Sequence, residues 1–357
     1  MRTQNDETND TALSFRLPHR PPQANLKLFS MPELPEVEVL VRHLRPLLRH
    51  QTIRGVRVLR AKVLGSTSPA KLRHALRGAK FVGLGRRGKY LCFKLKLLPR
   101  RDADPGATGL NLVGHLGMTG RMYLARRGEP FPKHAAVVLE LGRDNFIFED
   151  TRYFGRLTLD DSAVGRLGPE PLAGEFSLDY LRAALARSRQ PIKVKLLDQA
   201  LVAGMGNIYA SEALFRARIS PRLSACKLGA AQLLRLRRAI RDVLQEAIRF
   251  GSTVPLHHGP SASRGRDATS DGDHDRTGPQ LFYFGRAAGS PDYYEERLRV
   301  YDREGRPCIR CGTPIRRFVQ SARSTYYCPR CQSPRANLPP PKRGRNQNQI
   351  DADKRAR

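Results

Sequence analysis

The chain has 357 residues, enough for two or three domains with real cores. It carries 64 Lys+Arg against 33 Asp+Glu, a formal charge of +31, and no apolar run approaches the roughly 18 residues of a membrane span. Without residues 1–30 (four basic, three acidic) and 333–357 (seven and two), 53 cations face 28 anions, so +25 belongs to residues 31–332 and points to nucleic acid, whose counterions are released when phosphates are neutralised.

Residues 1–30 hold Asp6, Glu7 and Asp10, then Pro18, Pro21 and Pro22, with no apolar h-region. They read as a disordered leader, or as sequence upstream of a start codon placed too early. Met31-Pro32-Glu33-Leu34-Pro35-Glu36 follows. If Met31 were the first residue and were removed, Pro32 would carry a free secondary amine. An α-amino group titrates near about 7.7–8.0, against about 10.4 for lysine, so much more of it is nucleophilic at neutral pH. Such an amine can attack a sugar C1′ and form an iminium. Glu33 beside it could move protons to and from the sugar. The same residues also suit the first turn of a helix, and the stretch alone leaves both readings open.

A helix is predicted from Pro35, with Val37, Leu40, Val41, Leu44 and Leu48 at helical spacing. Short β-type runs follow at 53–59, 81–84, 90–95, 110–113, 137–141 and 146–148, with one short helix near 69–77, so residues 50–160 read as a β-sandwich. Three loops stand out. Gly85-Arg86-Arg87-Gly88-Lys89 places three cations beside glycines that permit close approach to a phosphate. Gly117-Met118-Thr119-Gly120 offers an apolar wedge for a base stack, and Asp150-Thr151-Arg152-Tyr153-Phe154-Gly155 could share that task.

Residues 163–177 read as a linker, and residues 178–302 as helical, with helices over 177–187 and 228–250 and a low-complexity loop at 255–292. Between those helices lie Ile192-Lys193-Val194-Lys195 and then Gly204-Met205-Gly206-Asn207. The second of these is a turn that exposes helix N-terminal N–H groups to an anion, with Asn207 as an added donor. Cys308-x₂-Cys311-x₁₆-Cys328-x₂-Cys331 fits a structural zinc site of four thiolates with no open position. The clustering of four of the six cysteines there suits a reducing compartment. Residues 333–357 read as a disordered basic tail.

Taken together, Pro-Glu-Leu-Pro-Glu, His-Leu-Gly-Met, Gly-Met-Gly-Asn-Ile-Tyr-Ala-Ser-Glu and the four cysteines, in that order, make the chain from Met31 to about Gln332 resemble the bacterial formamidopyrimidine-DNA glycosylases. The resemblance implies an α+β protein. Its parts would be a β-sandwich domain with flanking helices (31–162), a helical domain with a helix–two-turns–helix element, and a zinc-finger hairpin (303–332). It implies a monomeric, cytoplasmic, nucleoid-associated repair enzyme that excises oxidised purines from double-stranded DNA and cuts the strand by β,δ-elimination. One structural zinc ion is its only cofactor, and no membrane is involved. Pro32 then matches the Schiff-base nucleophile, Glu33 the proton donor and acceptor, Lys89 the lysine that meets phosphate beside the lesion, and Arg323 the zinc-hairpin arginine. Met118, Arg152 and Phe154 match the gap-filling residues, and Asn207 a phosphate-gripping one. Lys193 is counted among the DNA contacts. Thr151 and Tyr153 depart from the family's Asp-Pro-Arg-Arg-Phe-Gly. Two alternatives are an endonuclease VIII-type enzyme for oxidised pyrimidines and a catalytically dead zinc-bearing DNA-binding protein, the latter if Pro32 is not N-terminal.

Overall fold

The computed structural model describes residues 31–97, 109–250 and 297–333. The leader, the 255–292 loop and the tail beyond Ser333 lie outside the described residues. Helix α1 (Leu34–Leu48) comes first and buries Val37, Leu40, Val41, Leu44 and Leu48 along one face. Its start is fixed by Glu36, whose Oε2 accepts the Glu33 N–H at 2.8 Å, the reach-back bond of a capping box.

The α+β architecture is as the motifs imply. Strands β1 (Gly55–Val58), β2 (Lys80–Arg87), β3 (Tyr90–Lys96), β4 (Gly109–His115), β5 (Gly120–Arg126), β6 (Ala135–Glu140), β7 (Asp144–Asp150) and β8 (Arg156–Thr158) form two antiparallel four-stranded sheets. Their orders are β1-β6-β7-β5 and β2-β3-β4-β8. The short helix α2 (Pro69–Leu76) is capped by Ser68, whose Oγ accepts the Lys71 N–H at 3.2 Å. Alternation decides the sheet faces: Leu91, Phe93 and Leu95 of β3 point inward and are buried with Phe81, Phe146 and Phe148. Phe93 meets Phe81 and Phe146 edge-on at 5.9 and 5.6 Å.

After a short helical turn, α3 (Ser162–Gly165), four helices build a second core: α4 (Leu178–Leu185), α5 (Ile192–Leu196), α6 (Asn207–Ala217) and α7 (Ala230–Arg249). In α7, Leu233, Leu236, Ile240, Val243, Leu244 and Ala247 line the buried side. Leu34 belongs to this second core while Val37 and its successors belong to the sandwich, so α1 bridges the two. A third, small core joins Phe215 of α6 to Val300, Ile315, Cys308 and Cys328 beneath the hairpin β9 (Arg316–Gln320) and β10 (Arg323–Tyr327). Truncating Phe215 to Ala would cost about 3–5 kcal/mol at this junction.

Candidate active site

Glu33 lies where the two large cores meet, 2% exposed, with Pro32 buried beside it. Its Oε1 accepts the Ile208 N–H at 2.9 Å and its Oε2 the Tyr209 N–H at 3.4 Å. The turn before α6 is shaped around α1. A Cβ on Gly206 would overlap the Glu33 carboxyl carbon, and one on Gly204, whose φ is +83°, would sit 2.6 Å from Leu34 Cβ. The glycines thus permit a close approach of α1 to this turn. The anion at this helix N-terminus, however, is the protein's own carboxylate.

Two N–H donors and a helix dipole favour an ionised Glu33, yet removal from water is the larger effect. Burial raises its pKa to about 7. Lys89 opposes the rise, the like charge of Glu36 adds to it, and the two backbone donors oppose it. Glu36 is itself 1% exposed and accepts the Tyr209 hydroxyl at 2.6 Å.

Lys89 follows Gly88, which takes φ +56° at the β2–β3 turn, and is 7% exposed. Burial lowers its pKa, with Glu33 pulling the other way and Arg323 adding to the fall. The other two cations of this stretch turn elsewhere. Arg86 pairs with Glu38 at 2.9 Å and with Glu170 at 2.8 Å; Arg87 pairs with Glu170 at 3.2 Å and donates to the carbonyls of Leu167 and Gly168. Glu170 also accepts the Gly88 N–H at 2.6 Å, so it fastens the turn that carries Lys89. Arg323 is exposed at the start of β10, after a two-residue turn in which Ser321 and Ala322 take φ of 48° and 58°. Left-handed backbone at two non-glycine residues is a cost of order 1 kcal/mol or more each, located next to a candidate site residue.

Lys193 requires a correction. It is 1% exposed, and its Nζ donates to Asn207 Oδ1 at 2.7 Å, Ser324 O at 2.9 Å and Thr325 Oγ1 at 2.7 Å. All three protons are engaged within the protein, so the ammonium ties α5, α6 and the hairpin together and does not reach outward as a direct DNA contact. Burial brings its pKa down to about 7. Asn207 completes the clasp, its Nδ2 donating to Ser324 O at 3.0 Å.

Met118, Arg152 and Phe154 converge on the sandwich surface. Arg152 Nη1 lies 3.6 Å from Met118 Sδ, its guanidinium stands 5.5 Å from the Phe154 ring centroid, and Phe154 is 52% exposed. Fully buried Asp150 holds this surface, accepting from Thr119 Oγ1 at 2.5 Å, Arg152 N at 3.1 Å and Gly155 N at 2.7 Å. Tyr153 takes φ +55°, and its hydroxyl accepts from Arg60 Nε at 3.3 Å.

The four hairpin cysteines bring their Sγ atoms within 4.8 Å of one another, with Cys311–Cys328 and Cys311–Cys331 at 3.5 Å and Cys308–Cys331 at 3.9 Å. A tetrahedron with Zn–S of about 2.3 Å has edges near 3.8 Å, so the four fit one zinc ion. Gln332 docks this unit: it accepts the Cys328 N–H and donates to Ile219 O, both at 2.9 Å.

Three family models match in order: the formamidopyrimidine-DNA glycosylase N-terminal domain over residues 31–157, its H2TH domain over 167–256, and the zinc finger found in FPG and IleRS over 305–334. The chain is 39% identical over 311 residues to the formamidopyrimidine-DNA glycosylase of Pelotomaculum thermopropionicum, spanning 85% of this chain and 99% of that protein. The chain belongs to the formamidopyrimidine-DNA glycosylase family. A Thermus thermophilus member is 40% identical over 312 residues, spanning 85% of this chain and 98% of its own. Among solved structures, the Lactococcus lactis enzyme with DNA containing Fapy-dG aligns at a TM-score of 0.68 and 29% identity, covering 84% of this chain and all of that one. The wild-type L. lactis enzyme with DNA containing an oxidised pyrimidine aligns at 0.69 and 29%, covering 85% and all of it.

Three residues of this family member escape sequence reasoning. Glu36 and Tyr209 close a ring of hydrogen bonds around Glu33, and Glu170 fixes the Lys89 turn. The sequence shows Glu36 only as a helix-start residue. Nothing local marks Tyr209 or Glu170, because their partners lie 173 and 82 residues away.

Proposed function

We propose that this chain is a base-excision-repair DNA glycosylase with lyase activity, acting on oxidised purines through Pro32 once that residue heads the chain. The observation that carries the reading is Glu33: a buried acid poised near pH 7, joined to Pro32 by one peptide bond and flanked by Lys89. The names of the relatives support it, as do L. lactis structures holding Fapy-dG or abasic DNA.

A base attacked at its sugar must leave the stack, and Met118, Arg152 and Phe154 are placed to fill the space it vacates. The Pro32 nitrogen donates its lone pair to C1′, and the base departs with the C1′–N bond electrons and a proton traceable to Glu33. The proton that the Pro32 nitrogen loses passes through Glu33 to O4′ as the C1′–O4′ bond breaks, and the iminium left by this ring opening acidifies the C2′ hydrogens. The Glu33 carboxylate takes one of them, and the electrons expel the 3′ oxygen with its phosphate. A second elimination expels the 5′ oxygen. Lys89 and Arg323 meet the phosphate at the lesion, Asn207 grips a neighbouring one, and Cys308, Cys311, Cys328 and Cys331 would hold a structural zinc ion with no position open to substrate. The enzyme works as a monomer in the bacterial cytoplasm at the nucleoid, in keeping with its unpaired thiols and its DNA substrate.

The L. lactis complex with an oxidised pyrimidine keeps pyrimidine lesions in view as a secondary substrate class. Borohydride trapping on duplexes with 8-oxoguanine or thymine glycol opposite their normal partners tests both. A covalent adduct with a Pro32-first chain, formed faster on 8-oxoguanine, is the expected result. Absence of any adduct would leave a DNA-binding module, and faster trapping on thymine glycol would move the chain to the endonuclease VIII type.

A further inference from the structure

The geometry points to Tyr209 and Glu36 as a positioning relay that aims the Pro32 nitrogen, an assignment that rests on the reading of Pro32 as nucleophile. Once Pro32 heads the chain, its ring joins the protein through one freely rotating bond, Cα–C. On the far side of that bond is the Pro32–Glu33 peptide, whose plane therefore sets where the ring nitrogen points. The N–H of that peptide donates to Glu36 Oε2 at 2.8 Å. The other Glu36 oxygen accepts the Tyr209 hydroxyl at 2.6 Å, and Tyr209 is completely buried.

Tyr209 also gives its own backbone N–H to Glu33 Oε2 at 3.4 Å. One residue of α6 thus holds the acid with its main chain and, through Glu36, the nucleophile's peptide with its side chain. The ring closes within a site that is nearly dry: Glu33 and Glu36 are 2% and 1% exposed. Lys89 from the β2–β3 turn faces both carboxylates electrostatically and Lys193 from α5 faces Glu33, while Arg323 from β10 acts as a like charge on the two lysines. None of these cations fixes the peptide plane, because the Glu33 N–H is donated to Glu36 alone among the described residues. Tyr209 and Glu36 are positioning residues here: they act on the reacting atoms only through Pro32.

The test uses the chain beginning at Pro32 and the variants Tyr209→Phe and Glu36→Gln. Phe keeps the buried ring and removes only the donor; Gln keeps one acceptor oxygen of the two. Trapping on an abasic duplex is expected to slow by about 10- to 100-fold in each, the scale for a misaimed reacting group. Affinity for a duplex with an uncleavable abasic analogue stays within about twofold in Tyr209→Phe, since no DNA-facing group is altered. The double variant is no slower than Glu36→Gln alone, because both changes cut one link. Wild-type trapping rates in Tyr209→Phe, or affinity falling in step with rate, would overturn the relay while leaving Pro32 as nucleophile. An equal adduct yield from a chain that keeps residues 1–31 would instead overturn the Pro32 reading itself.

Discussion

The carboxylate of Glu33 and the amide of Ile208 meet at 2.9 Å although 175 residues separate them in sequence. The first turn of α6 is a ready anion site, and the protein fills it with its own acid. Room for that acid exists because residue 206 has no side chain. Gly206→Ala would drive a methyl into the Glu33 carboxyl group, and Glu33 rather than the helix has to move. Single-turnover excision should fall by about 100-fold. Thermal melting and DNA affinity measured alongside should change little; a variant that excises normally would show that Glu33 acts from another position.

The elevated pKa of Glu33 makes two linked statements about pH. In the proposed mechanism Glu33 starts protonated, so kcat/KM should decline on the alkaline side with a midpoint near 7. For stability the sign follows from a folded pKa above the unfolded 4.5. Below 4.5 both states are protonated and nothing is lost; between 4.5 and 7 stability drops as pH rises; above 7 the loss is complete. Glu33→Gln should therefore be inactive yet more stable than wild type at pH 8, by up to about 3 kcal/mol, the difference closing below pH 4.5. Denaturant titrations at both pH values check this, and a pH-independent difference would refute it.

Two buried lysines should respond differently to salt. With Lys89 in its proposed place at a phosphate, Lys89→Ala should make the slope of log Kd against log salt shallower by roughly one. Lys193→Ala leaves that slope as it was, since its ammonium is spent on Asn207, Ser324 and Thr325. It weakens binding by loosening the hairpin, leaving buried acceptors unpaired at about 1–3 kcal/mol each. Zinc chelation or Cys328→Ser should reproduce the Lys193→Ala loss of affinity with the sandwich still folded. A shallower slope in Lys193→Ala would restore it as a phosphate contact.

Phe154 is half-exposed with the Arg152 guanidinium 5.5 Å from its ring centroid, an arrangement that suits insertion into a base stack. Phe154→Ala should slow excision of 8-oxoguanine by about tenfold, the order expected when unstacking loses an apolar filler. Cleavage of an abasic duplex, where no base has to be extruded, should hold its rate. Equal losses on both substrates would mean that Phe154 serves general binding.

Periodicity makes the helices legible: the apolar faces of α1 and α7 run as their residues indicate. The strands β5 and β8 escape a reading by pattern, the first because arginines at 121 and 126 bracket a short apolar run, the second because three residues carry no period. Local chemistry singles out Pro32, Glu33, the cysteines, and Met118, Arg152 and Phe154, which the fold gathers on one surface. It misjudges Arg86, Arg87 and Lys193, whose exposure depends on carboxylates and carbonyls contributed from distant chain. Charge in a glycine-bearing turn says that a cation is available; only the fold says which of three neighbours has been neutralised.

Pro32 and Glu33 leave the ribosome early, just ahead of α1, but the amides that seat Glu33 belong to α6 and emerge much later. A half-made chain therefore holds Glu33 without the amides that seat it, and the acid reaches its place only when the second core closes on Leu34.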